Sequence, residues 1–154
     1  MRALVAEAGL EHRVVIASAG TAAWHQGELP DARSRAEAGR RGVDLVSRAT
    51  PFRAGDAFAY DLVLAMDRRN LADLIDLTPE PELRRRIGLL RDFDPALQPD
   101  DRWSGEVPDP WSGGDDGFVV VYDLIEAACR GLLDHVRATL VGEDQPPQEP
   151  SASS

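Results

Sequence analysis

Three short apolar runs constrain this chain more than any other feature: residues 14–17 (VVIA), 61–66 (DLVLAM) and 86–90 (RIGLL). Each is too short for a helix and is dominated by aliphatic residues, and polar stretches with helical spacing lie between them, so they read as buried strands. Buried strands alternating with helices imply a parallel sheet covered on both faces, an α/β fold of three layers. Sheets of this kind bind ligands in the loops beyond the carboxyl ends of their strands.

The helices can be placed around this frame. Leu4, Val5 and Ala8 have helical spacing, yet no Ser, Thr, Asp or Asn precedes them to cap the helix. Asp31 is a cap for a helix reaching about Arg41, and Gly42 is its stop. A short helix follows the second run, with Leu71, Leu74 and Ile75 facing inward. The clearest helix is the last, where Phe118, Val121, Tyr122, Ile125, Cys129, Leu132, Leu133, Val136 and Leu140 form one broad apolar stripe. Residues 1–141 form one domain; from Gly142 onward Gln, Pro, Glu and Ser predominate, the composition of a disordered tail.

Composition excludes several functions. All 17 basic residues are arginine, which removes a Walker-type phosphate loop, a Schiff-base enzyme and a standard receiver domain, since each needs a lysine. A net charge of −10 argues against nonspecific binding to nucleic acid or an anionic membrane. No apolar run approaches the roughly 18 residues of a membrane span and the first residues do not read as a signal peptide, so a cytoplasmic location is expected. The single cysteine, Cys129, lies on the apolar stripe and reads as an inert core thiol. His12, His25 and His135 show no pairing at metal-ligand spacing, and no metal is assigned. Arg40, Arg41 and residues 84–86 read as solvated helix ends.

Chemistry is plausible at two places. In Val107-Pro108-Asp109-Pro110-Trp111, two prolines fix the backbone around one carboxylate, as a general acid over a pocket would need; the same tripeptide is also an ordinary turn. Ser18-Ala19-Gly20-Thr21 ends the first run and is followed by Trp24. Hydroxyls, a glycine and an aromatic wall in one loop suit a pocket rim, and they equally suit capping and packing.

The order of the segments is more specific than any one of them. A strand with SAGT-x-x-W, then DLVLAMDRRNL, RIGLLRDFDP, VPDPW-x-G-G-x-x-x-F and an amphipathic helix resembles the low-molecular-weight protein tyrosine phosphatases from Met1 to Leu140. The resemblance implies a phosphomonoester hydrolase acting on phosphotyrosine through a phosphocysteine intermediate, without metal or cofactor. Its substrate would be a phosphotyrosine-containing protein or a small aryl phosphate. It implies that Asp109, followed by Pro110, is the general acid, that Trp24 and Trp111 border the substrate, and that Ser18 supports the phosphate loop from behind. Where the family continues with two tyrosines, this chain has Trp111-Ser112.

The family begins with a central strand and a Cys-x5-Arg loop that cradles the phosphate; this chain opens inside the helix that follows, and its 154 residues contain no Cys-x5-Arg. The expectation is therefore that the first, central strand is missing from the chain, that the gene product begins roughly 20 to 30 residues upstream, a strand, a loop and a few helical turns, and that the chain alone is inactive for want of its nucleophile. The alternative is a noncatalytic binding or regulatory module derived from the same fold. Arsenate reductases of this fold depend on additional cysteines, which Cys129 alone does not supply.

Overall fold

The computed structural model describes residues 1–22, 25–110 and 115–143, apart from the side chains of Asp115 and Glu143. Helix α1 (Arg2–Glu7) is followed by an extended stretch, α2 (Ala32–Arg40), strand β1 (Val63–Ala65), α3 (Arg68–Asp76), the short α4 (Pro81–Arg84), strand β2 (Ile87–Leu89) and the long α5 (Asp115–Glu143). A 3-10 turn, Leu90–Phe93, joins β2 to the loop preceding α5. Asp31 caps α2 by accepting from the Arg33 amide at 2.7 Å, and Asp67 caps α3 by accepting from Asn70 at 2.6 Å.

β1 and β2 pair in parallel, with Val63 opposite Ile87 and Ala65 opposite Leu89. Side chains alternate across a strand, and the two faces acquire different covers. Val63, Ala65, Ile87 and Leu89 pack with Phe52, Leu71 and Leu74, which places α3 on one face. Leu64 points the other way, to Leu90, Ala128, Cys129 and Leu132, and the same cluster takes in Leu4 from α1 and Phe93. A small parallel sheet with helices on both faces is the architecture that the apolar runs imply. Cys129 is buried in this cluster as a core thiol.

Residues 14–17 differ from expectation: they are extended but form no strand, and Val15 is 83% exposed. Strand character comes from ladder bonds, and among the described residues no neighbouring strand supplies them here. Instead the Arg2 guanidinium donates twice to the Ile16 carbonyl, at 3.0 and 3.1 Å. Pairing begins only at Gly20, which forms an isolated parallel bridge with Pro51: Gly20 N–H donates to Thr50 and Phe52 N–H donates to Gly20, both at 2.8 Å.

Arg40 and Arg41 are not merely solvated: both bond the buried Glu37 carboxylate, and Arg41 also reaches Asp123 on α5 at 2.5 Å. Arg33 and Arg41 stack on Phe118 and Tyr122, each at 4.4 Å, so α2 docks on α5 through guanidinium groups. His25 pairs through Nδ1 with Glu28 at 2.8 Å, both side chains exposed. At its C-terminus α5 extends to Glu143, past the expected tail boundary, and residues 144–154 lie outside the described residues.

α5 comes against the Leu90–Phe93 turn at Gly131. A Cβ there would lie 1.9 Å from the Phe93 carbonyl oxygen, and main chain cannot yield as a flexible side chain can. Gly131→Ala therefore lowers unfolding free energy by roughly 2 kcal/mol or more, despite alanine's helix preference of about 1 kcal/mol over glycine. Urea denaturation checks this; an unchanged or higher midpoint contradicts the packing described.

Candidate active site

A cavity of about 540 Å³ lies between the extended segment at residues 17–21 and β1. Ala17 to Thr21 form one wall, Leu62 to Met66 the other, and Thr50, Pro51 and Phe52 close an end. Ser18 and Thr21 thus border a pocket, and the Thr21 hydroxyl accepts from the Asn70 side chain at 3.3 Å. Asn70 in the first turn of α3 and Met66 at the carboxyl end of β1 meet at this cavity, where an α/β sheet offers a ligand site.

Asp109 is exposed and does not line the cavity, but its loop is tied to the cavity's edge. Val107, buried, donates its amide to the Met66 carbonyl at 2.8 Å, and Met66 is a lining residue. One residue earlier, the Glu106 carboxylate accepts from the Arg68 amide at 2.9 Å. The Arg68 guanidinium reaches back to the Ser104 carbonyl at 3.2 Å. Residues 104–107 are therefore fastened to the turn between β1 and α3. Pro110 lies against Gly117 at the start of α5, 3.5 Å from where a Cβ would stand, so Asp109 is held between two anchored ends. Trp24 and Trp111 lie outside the described residues.

Sequence reading missed how the loop is held from below. Arg91, 3% exposed, extends from the Leu90–Phe93 turn and donates to both Asp101 oxygens at 2.8 and 3.0 Å, to Asp94 at 3.3 Å and to the Glu106 carbonyl at 3.2 Å. Asp101 also accepts from the Trp103 and Gly105 amides, each at 3.0 Å. Ser104 and Gly105 both take positive φ, 52° and 77°, and so wrap the chain around that carboxylate. The Arg91 guanidinium first, then the Gly105 amide, draw the Asp101 carboxyl down to about 2.

The family model of the low molecular weight phosphotyrosine protein phosphatases matches residues 1–142. A low molecular weight protein-tyrosine-phosphatase of Streptomyces coelicolor is 40% identical over 92% of this chain and 84% of its own length. The human low molecular weight phosphotyrosine protein phosphatase is 28% identical over 86% of this chain and 81% of its own. Among solved structures, a protein tyrosine phosphatase from Entamoeba histolytica superimposes with a TM-score of 0.82 at 29% identity, covering 90% of this chain and 85% of that one. A Drosophila arginine phosphatase superimposes with a TM-score of 0.76 at 25% identity, covering 88% and 84%. The chain belongs to the low molecular weight phosphotyrosine protein phosphatase family.

Asp101 supplies a pH test. Its carboxyl titrates below the ordinary 3.8 in the folded chain, so its contribution to loop order is complete above that value and is lost as pH falls through about 2. An NMR titration should show the Trp103 and Gly105 amides keeping their native shifts at pH 4 and losing them only toward pH 2, by roughly two units of acidification. Loss of the native shifts already near pH 4 contradicts the ion-pair geometry.

Proposed function

We propose that this chain is the body of a phosphotyrosine phosphatase in which Asp109 is the general acid and base. The observation that carries the reading is the Val107-to-Met66 hydrogen bond, which sets the Asp109 loop at the carboxyl end of β1 beside the cavity. The phosphate-binding Cys-x5-Arg loop, which is not among these 154 residues, belongs in that cavity with its strand between residues 17–21 and β1. Ser18 then stands behind the phosphate loop, Pro110 restrains Asp109, and Trp24 and Trp111 flank the aryl group.

In the reaction, a cysteine thiolate attacks phosphorus as the bond to the aryl oxygen breaks, and Asp109 gives its proton to that oxygen. Water then attacks the phosphocysteine, passing a proton to the Asp109 carboxylate and releasing phosphate and thiolate. Neither step requires a metal or cofactor. An acid assists departure but does not attack, so Asp109 alone cannot turn over substrate, and the 154-residue chain is inactive by itself. Substrates are phosphotyrosine in protein or a small aryl phosphate, met in the cytoplasm. No described helix is long and apolar enough to cross a membrane.

Hydrolysis of p-nitrophenyl phosphate by the chain, alone and joined to an N-terminal strand and Cys-x5-Arg loop from a relative, tests this. Only the joined protein should be active, and Asp109→Asn should lower its kcat about 10²- to 10⁴-fold. Activity of the chain alone overturns the mechanism. A folded but inactive joined protein that still binds phosphotyrosine peptide establishes the noncatalytic module instead.

A further inference from the structure

Arg91 forms no part of the cavity wall, yet it is the most buried cation described. Ion pairs buried this deeply cost desolvation, and apolar residues of similar size often serve stability as well or better. The partners of Arg91 are therefore informative: Asp101 and the Glu106 carbonyl both lie on the loop that leads to Asp109, and Asp94 lies at that loop's start. Leu90, the preceding residue, faces the Ala128, Cys129 and Leu132 cluster. Two consecutive residues thus anchor different things, Leu90 the core and Arg91 the loop.

The geometry points to Arg91 as the positioning residue of the acid loop: its guanidinium, fixed at the end of β2, sets residues 101–107 so that Asp109 stands at the carboxyl end of β1. This rests on Asp109 being the acid. The fork is essential to the role, because one planar group reaches two carboxylates and a carbonyl at once, and a lysine ammonium presents no such fork. Arg91 touches no reacting atom; it acts through Asp101, Glu106 and Val107 on Asp109.

Amide hydrogen exchange on the 154-residue chain and its Arg91→Lys variant is the first arm. Trp103, Gly105 and Val107 should exchange at least about tenfold faster in the variant, with β1, β2 and the middle of α5 unchanged. Asp101→Asn, which keeps Arg91, should loosen the same three amides. Unchanged exchange at those amides, or equal acceleration throughout the core, overturns the assignment.

The second arm uses the joined, active protein and compares two leaving groups. A displaced acid hurts a poor leaving group more than a good one, so Arg91→Lys should slow phenyl phosphate at least about fivefold more than p-nitrophenyl phosphate. Equal slowing of both, the mark of general loosening, overturns the positioning role. A parent protein that hydrolyses neither overturns the phosphatase reading, while the exchange arm still decides whether Arg91 anchors the loop.

Discussion

The contact of α5 with the Leu90–Phe93 turn is the constraint on which the rest of the molecule depends. Gly131 lets the helix come against the Phe93 main chain, and Leu90, Ala128, Cys129 and Leu132 close around that contact. β2 ends where this turn begins, so the sheet's position relative to α5 is fixed there. The sheet orients β1 through three residue pairs, and β1 in turn presents Met66 to Val107. A helix 29 residues long thereby determines where the short loop bearing Asp109 stands.

The loop itself has little apolar surface with which to hold a shape. Val107 is buried and Leu97 lies beside Gly105. Charge does the remaining work: Asp101 collects two amides and a guanidinium, and Glu106 and Arg68 pair at the β1–α3 turn. A loop held this way is precise without a core of its own. That suits the role proposed for Asp109, an exposed carboxylate that keeps its place near a pocket.

Much of this was legible in the sequence, and the exceptions share a cause. Asp31 as a cap, the VLA and IGL strands inside the DLVLAM and RIGLL runs, and the stripe of α5 are local patterns that each segment carries in its own residues. The expected strand at residues 14–17 failed because a strand is defined by its neighbour; with no paired strand beside them among the described residues, the same four residues are extended chain. The order of motifs led to Asp109 and Pro110, and the roles proposed for them rest on that resemblance and on the loop's place beside the cavity. Arg91 could not be reached that way, because it sits in RDFDP as one charge among several, and only the fold brings Asp101 and Glu106 to it. Arg41 escaped for the same reason, its partner Asp123 on α5 lying 82 residues away in the chain.

The central claim is that the Asp109 loop and the cavity beside β1 are two halves of one phosphate-transfer site. The most direct test is a crystal structure of the chain joined to a Cys-x5-Arg segment, with orthovanadate bound. The account predicts the added strand between residues 17–21 and β1, Ser18 behind the vanadate loop, and an Asp109 oxygen within hydrogen-bond distance of the apical vanadate oxygen, about 3 Å. A vanadate bound elsewhere, or an Asp109 carboxylate turned away from it with the added strand outside the cavity, would contradict it.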